Sequence, residues 1–153
     1  MHKKKTAVLL TAEEHNAKRV YDSNMLSRLR KCYDLYETVL CRKNIQNHMD
    51  ACRKAEYIFS TWGMEHFSET EIKAYFPNVK CLFYAAGSVQ HFAAEFLSCG
   101  IRVFSAWKAN AVPVAEYTYA QILLALKGFY RASRKSHMQY YQMSKYADKC
   151  GGI

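Results

Sequence analysis

Two short runs of small and polar residues have the composition of ligand-binding loops: Ser60-Thr61-Trp62-Gly63-Met64 and Ala85-Ala86-Gly87-Ser88-Val89. Small residues let a ligand approach the backbone closely, and the helix predicted to follow Gly87 would present its first N–H groups to a carboxylate or phosphate. The same composition is typical of a tight turn between a strand and a helix. Trp62 could form the wall of a pocket or cover the sheet, so both interpretations of each loop remain open.

The other residues offer few candidates for catalysis. His66 and His91 lie near the two loops, but neither has an acidic partner at a suitable sequence spacing. No Ser-His-Asp, Cys-His or paired-carboxylate arrangement can be argued, and the sequence contains no G-x-G-x-x-G. The six cysteines show neither C-x-x-C spacing nor a paired histidine motif. We therefore predict no catalytic residue and no metal site in this chain.

The hydrophobic pattern predicts a scaffold in which strands alternate with helices. The predicted strands are 5–11, 34–40, 56–60, 80–84 and 101–104, and the predicted helices are 13–27, 45–53, 68 to about 77 and 90–98. Asn44 is a candidate cap for the second helix, Ser68 and Glu71 have capping-box spacing, and Gly100 is expected to end the fourth helix.

Five strands, each followed by a helix, predict a flavodoxin-like α/β fold. We expect a five-stranded parallel sheet of order 2-1-3-4-5 with helices on both faces and right-handed crossovers. Ligands bind to such sheets beyond the carboxyl ends of the strands. This rule selects the loops that follow Thr11, Ser60, Tyr84 and Phe104.

A long apolar helix is predicted to begin at Pro113, because proline suits a first helical turn. Ala115, Tyr119 and Leu126 belong to one apolar stripe, and Tyr117 and Leu124 are apolar outside it, so we expect this helix to be buried on most sides. About 27 residues follow Leu126, too few to cover it. The chain is therefore expected to be part of a larger protein.

Composition and charge exclude several classes of protein. Half of the residues are hydrophobic, which predicts a folded core, and no uncharged apolar run reaches the roughly 18 residues of a membrane span. The formal net charge is +9, but the basic residues are spread along the chain without a recognition motif, so we expect no nucleic-acid partner and no membrane partner. The lack of a signal peptide and the scattered cysteines predict a cytoplasmic protein. Thr11-Ala12-Glu13-Glu14-His15 fits neither a receiver domain nor the phosphate loop of a flavodoxin.

Three motifs in order resemble the D-isomer-specific 2-hydroxyacid dehydrogenases, the phosphoglycerate dehydrogenase-like group. They are the strand and glycine loop of residues 81–88, the G-I-x-V step of Gly100 to Val103, and the N-x-x-x-V-A-E start of the long helix, from Asn110 to Glu116. The last is the most specific, and the resemblance covers residues 57 to about 131. The aspartate usual shortly after the glycine is absent, and Gln90 and His91 occupy that region.

The resemblance implies a flavodoxin-like substrate domain, 1–109, followed by 110–153, which holds an interdomain and dimerisation helix and the start of a truncated Rossmann NAD-binding domain. The full-length protein would be an NAD(P)-dependent D-2-hydroxyacid dehydrogenase that interconverts a 2-hydroxy acid and a 2-keto acid. NAD or NADP would be bound by the missing domain. The catalytic arginine, acid and histidine would also lie there, so this chain alone would be inactive.

The resemblance also implies roles for individual residues. The substrate would be bound by the following residues: Ser60, Thr61, Trp62, Ala86, Gly87, Ser88 and Asn110. Asn110 and Pro113 would lie near the cofactor. A homodimer would form through the crossing helix and residues 129–146. The alternative from another class is a non-enzymatic basic α/β module that binds a ligand, a partner or a nucleic acid.

Overall fold

The computed structural model describes residues 4–134, which form five strands, seven α-helices and one short 3₁₀ helix. The strands are β1 (Lys5–Leu9), β2 (Tyr33–Leu35), β3 (Tyr57–Ser60), β4 (Cys81–Tyr84) and β5 (Arg102–Ser105). The helices are α1 (Glu14–Val20), α2 (Ser23–Cys32), α3 (Met49–Lys54), α4 (Glu69–Tyr75), α5 (Ala93–Ser98), α6 (Trp107–Leu126) and α7 (Phe129–Ser133). The 3₁₀ helix, Ile45–His48, leads directly into α3.

The strands form one parallel sheet of order β2-β1-β3-β4-β5, which confirms the predicted topology. Helices cover both of its faces. Ile58 and Leu82 pack on one face against side chains of α3, α4 and α5, such as Phe96. Leu9 and Phe59 pack on the other face against α1 and α2. Because successive strand side chains point to opposite faces, both apolar sets of each strand are used.

The helix predicted at 13–27 is two helices, because the chain bends at Tyr21 and Asp22. The Asp22 carboxylate caps α2 by accepting a hydrogen bond from the Met25 N–H at 2.7 Å. The Tyr21 side chain is 7% exposed, and its hydroxyl donates to the Ser60 carbonyl at 2.8 Å. This contact crosses the fold, so the periodicity of the local sequence could not reveal it.

Two further boundaries differ from the prediction. Strand β2 ends at Leu35 rather than Leu40, and Leu40 keeps only an isolated bridge to Leu10. Asn44 does not cap a helix. Its amide instead closes a turn, since the oxygen accepts from the Cys41 N–H at 2.8 Å and the nitrogen donates to the Val39 carbonyl at 2.9 Å. By contrast, the capping box of Ser68 and Glu71 at the start of α4 is confirmed.

The predicted starts of α5 and α6 are also wrong. Helix α5 begins at Ala93 rather than Gln90, because residues 90–92 form a turn in which the Phe92 and Ala93 N–H groups bond to the Val89 carbonyl. Helix α6 begins at Trp107, so Pro113 lies inside the helix rather than in its first turn. Proline has no N–H to donate to the carbonyl four residues earlier, here that of Ala109.

The chain divides after Asn110 into two compact units. Helix α6 begins before this division; it contains no buried residue, and its Leu126 is 70% exposed. The cover expected for this helix is therefore not found within residues 4–134. The domain roles predicted for 1–109 and 110–153 stay predictions, and of the predicted dimer segment 129–146 only residues 129–134 are described. Within the described residues, no helix is both long and apolar enough to cross a membrane.

Candidate functional site

The carboxyl edge of the sheet brings together the loops that follow β1, β3, β4 and β5. Since the strands are parallel, Thr11, Ser60, Ala85 and Ala106 all leave the sheet at this edge. Backbone hydrogen bonds join neighbouring loops there, from the Ala85 N–H to the Ser60 carbonyl at 2.8 Å and from the Ala106 N–H to the Tyr84 carbonyl at 3.0 Å. The two candidate loops are therefore neighbours in the first unit.

The glycine loop after β4 exposes a row of backbone donors. The N–H groups of Ala86, Gly87 and Ser88 have no hydrogen-bond acceptor among residues 4–134. The Ser105 hydroxyl on β5 lies 3.0 Å from the Ala86 carbonyl and 2.5 Å from the Gly87 carbonyl, so its one hydrogen is donated to one of them or shared between both. This contact fixes the loop from its carbonyl side. Ala86 is buried, Gly87 is half-buried and Ser88 is exposed, so these three successive N–H groups lie where the loop meets solvent. Successive backbone N–H groups in a loop can form an anion-binding concavity, which makes this loop the candidate anion site.

Helix α5 does not contribute to this site in the way expected from the sequence. The prediction that the following helix presents its first N–H groups beside Gly87 fails, because α5 has six residues and begins only at Ala93. The donors of the glycine loop are thus its own backbone N–H groups.

Asn110 lies against the glycine loop, and the substrate-side role that the resemblance implies for it stays a prediction. A Cβ atom placed on Gly87 would lie 2.9 Å from the Asn110 Nδ2 atom and 3.6 Å from its Cγ atom. Gly87 has no positive φ, so its backbone conformation does not require glycine. The close Asn110 side chain does require it. The Asn110 amide therefore occupies the space that any larger residue at position 87 would need.

The residues predicted in the loop after β3 differ in their exposure. Ser60 and Thr61 are fully buried, and their hydroxyls lie near the Met64 sulfur at 3.2 Å and the Ala85 carbonyl at 3.4 Å. Trp62 is 44% exposed, with the Arg19 guanidinium 5.5 Å from its ring centroid. The buried hydroxyls of Ser60 and Thr61 therefore make contacts inside the protein, whereas the exposed part of the Trp62 ring is accessible to a ligand. Pro113 lies in the second unit.

The loop after β3 is held by donors elsewhere in the fold that bind its carbonyl oxygens, and no sequence motif indicates these contacts. The Thr11 hydroxyl donates to the Trp62 carbonyl at 3.1 Å, and the Ala12 N–H donates to the Gly63 carbonyl at 2.7 Å. The His91 Nε2 atom lies 2.9 Å from the Met64 carbonyl. Arg42 donates to the His66 carbonyl, and we call these four contacts the carbonyl anchors. His91 is therefore a positioning residue that spacing rules could not identify.

Two contacts between a basic residue and a carboxylate flank this loop. His66 Nε2 lies 3.0 Å from the Glu95 carboxylate on α5, which lowers the pKa of Glu95. Arg42 forms a two-pronged pair with Glu71, and this contact together with hydrogen bonds from Ser68 lowers the pKa of Glu71 to about 2. His66 thus has an acidic partner that is distant in sequence. Among residues 4–134, no group of three or more His, Cys, Asp and Glu side chains could hold a metal ion.

Comparisons with known proteins give a likeness of structure only. Neither the protein-family models nor the curated protein sequences contain a match. Among solved structures, a glyoxylate reductase from Paecilomyes thermophila is 19% identical to this chain, with a TM-score of 0.58. The match covers 88% of this chain and 43% of the reductase chain. The NAD-dependent formate dehydrogenase from Staphylococcus aureus, solved in complex with NAD, is 19% identical with a TM-score of 0.60, covering 92% and 43%.

The D-mandelate dehydrogenase of Rhodotorula graminis is 13% identical with a TM-score of 0.63, covering 97% of this chain and 45% of its own. The chain therefore spans less than half the length of each of these three structures. At identities this low the likeness is one of fold. The protein thus has the α/β fold of a part of these three oxidoreductases.

Proposed function

We propose that this chain binds the carboxylate of a small 2-hydroxy or 2-keto acid, as the acid-binding part of an NAD(P)-dependent oxidoreductase that interconverts the two. The observation that carries the proposal is the row of unpaired N–H groups at Ala86, Gly87 and Ser88 beside the Asn110 amide. A carboxylate has two oxygens that accept such donors, and hydrogen bonds to a charged acceptor are the stronger kind.

The remaining predicted residues have complementary roles in this proposal. Trp62, exposed at the neighbouring loop, would contact the side chain of the acid. Ser60 and Thr61 would act through the loop that they hold. Asn110 would lie between the acid and the nicotinamide, and Pro113 would lie near the cofactor. Since the chain has no glycine-rich dinucleotide fingerprint, NAD or NADP would be held elsewhere in the protein, and we expect no turnover by residues 1–153 alone.

The dimer implied by the resemblance also stays a proposal. It is supported by the exposure of apolar side chains on α6, among them Tyr117, Tyr119 and Leu126, each at least 66% exposed. Apolar surface of this extent on one helix is typical of an interface. If this helix forms the contact, Leu126→Glu should lower the self-association constant of the chain, as measured by sedimentation equilibrium.

The test of the acid site is titration of the ¹⁵N-labelled chain with glyoxylate or pyruvate, observed by amide chemical shifts. We expect saturable shifts at residues 86–88 and a weaker response to pyruvamide, which has the same shape without the charge. Asn110→Ala should weaken binding, whereas Asn24→Ala, a matched change on the exposed face of α2, should not. Equal affinity for acid and amide, or equal effects of the two variants, would contradict the proposal.

A further inference from the structure

The amino edge of the sheet, opposite the proposed acid site, gathers basic residues that are far apart in sequence. Lys5 begins β1, Lys80 precedes β4 and Arg102 begins β5. Backbone hydrogen bonds connect this edge, from the Lys80 N–H to the Glu56 carbonyl at 2.9 Å and from the Arg102 N–H to the Lys80 carbonyl at 3.0 Å. The parallel topology therefore converts scattered basic residues into one positive edge.

A cavity of about 510 Å³ opens at this edge. Four lysines line it, Lys4, Lys5, Lys54 and Lys80, while Glu56 is the sole carboxylate among its described lining residues. Glu56 contacts two of them, since one carboxylate oxygen lies 3.4 Å from the Lys5 ammonium and 2.5 Å from that of Lys80. The cavity thus holds an excess of positive charge that the described residues do not neutralise.

The ammonium groups differ in how they are held. The Lys80 hydrogen bond lowers the pKa of Glu56, so this carboxylate stays ionised at neutral pH and competes with any anion for Lys5 and Lys80. The Lys4 ammonium donates to the Arg30 carbonyl at 2.5 Å. The Lys54 ammonium has no hydrogen-bond or ion-pair partner among residues 4–134. At least one cation of the cavity is therefore free to bind an anion.

A second cavity, of about 620 Å³, adjoins the first, since Thr6 and Lys54 line both. Its wall includes the Tyr36 ring, whose hydroxyl lies 3.0 Å from the His48 Nδ1 atom. The carboxylates of Asp34 and Asp50 also line it. They would repel a phosphate, but they can accept hydrogen bonds from sugar hydroxyls, and an aromatic ring can stack on a base. The two cavities therefore suit different halves of one ligand.

We propose that the amino edge binds a nucleotide-type molecule, with its phosphates on Lys5, Lys54 and Lys80 and its nucleoside in the cavity of Tyr36 and His48. The site lies at the opposite edge of the sheet from Gly87 and does not depend on the proposed oxidoreductase function. Occupation would displace Glu56 from at least one of its two lysines.

The experiment is calorimetric titration of the full chain at fixed ionic strength with ADP, pyrophosphate and adenosine as separate probes. We expect ADP to bind more tightly than pyrophosphate, and adenosine most weakly. Lys80→Ala should weaken ADP binding roughly 10- to 100-fold, the effect of losing one charge-assisted contact. Glu56→Gln should strengthen it, because two lysines are then released from their internal carboxylate.

The control for net charge is Lys18→Ala, which removes one positive charge on α1, where Lys18 pairs with Glu14 at 3.0 Å. If Lys18→Ala weakens ADP binding as much as Lys80→Ala, the attraction is that of a basic protein in general and the site is refuted. Equal affinities for ADP and pyrophosphate would refute the proposal that the cavity of Tyr36 and His48 binds the nucleoside. Displacement of ADP by glyoxylate would place the ligand in the acid site instead.

Discussion

Replacing Gly87 by alanine separates the binding role of the glycine loop from its role in folding. The backbone of Gly87 has no positive φ, so alanine is allowed there, but the new Cβ would lie 2.9 Å from the Asn110 Nδ2 atom. One of the two groups must move. The Asn110 amide is the end of a flexible side chain, so we expect it to be displaced while the loop keeps its conformation.

The two expected magnitudes differ. The free energy of unfolding should change by less than about 1 kcal/mol, because alanine also restricts the unfolded chain. Losing one hydrogen bond to a charged ligand costs about 1.5–3 kcal/mol, so the affinity for glyoxylate should fall roughly 10- to 100-fold. Gly100→Ala is the matched control, since Gly100 has a φ of +77° with no atom within 4 Å of the added Cβ, and should cost about 1–2 kcal/mol of stability without affecting binding.

The assay is a double-mutant cycle with Asn110→Ala, in which calorimetry gives affinity and urea unfolding gives stability. In the Asn110→Ala background the added methyl group has room, so Gly87→Ala should weaken binding by less than about threefold. If Gly87→Ala weakens binding equally in both backgrounds, the contact with Asn110 is not the cause. A stability loss above about 2 kcal/mol would show that the loop itself rearranges.

Three further outcomes are expected. Glu71→Gln should lower the free energy of unfolding by about 1–2 kcal/mol at neutral pH, as measured by urea unfolding across pH. Because the contact with Arg42 and the hydrogen bonds from Ser68 lower the pKa of Glu71 to about 2, the difference in stability from wild type should shrink as the pH falls from 4.5 toward 2. Tyr21→Phe should cost about 1–2 kcal/mol by leaving the Ser60 carbonyl without its donor. Since burial raises the pKa of Tyr21, wild type alone should lose this stability as the pH rises above 10.0, and an equal alkaline loss in the variant would contradict the assignment. Pro113→Ala should increase helicity by circular dichroism and stabilise α6 by up to about 3 kcal/mol, and unchanged helicity would argue against an interior proline.

Features that depend on neighbouring residues were predictable from the sequence. The capping box of Ser68 and Glu71 and the alternation of strands and helices follow from local rules, and short crossovers leave few possible sheet orders. Small residues after a buried strand mark the glycine loop as a candidate site, but a tight turn between a strand and a helix has the same composition, so its binding role stays a prediction. Asn110 was a candidate only because the resemblance implied a substrate-side role for it, since its spacing from the loop in the sequence indicates no contact.

Features that depend on contacts across the fold were missed. The bend after α1 is stabilised where the Tyr21 hydroxyl meets the Ser60 carbonyl, 39 residues away in sequence. The pairing of His66 with Glu95 and the contact of His91 with Met64 likewise join loops that only the folded sheet brings together. The positive amino edge has no signature in the sequence, where its basic residues are scattered, because the order of the strands decides which of them share one surface.

The carbonyl anchors have an evolutionary consequence for the loop that carries Trp62. Its backbone is fixed through main-chain oxygens, which every amino acid possesses, by donors that lie outside the loop. Substitution of Trp62 therefore removes none of these anchors. A lineage could exchange this exposed side chain, and with it the shape offered to a ligand, by single point mutations that leave the scaffold intact. We expect position 62 to vary among relatives that prefer different acids, while Thr11, Arg42 and His91 stay unchanged.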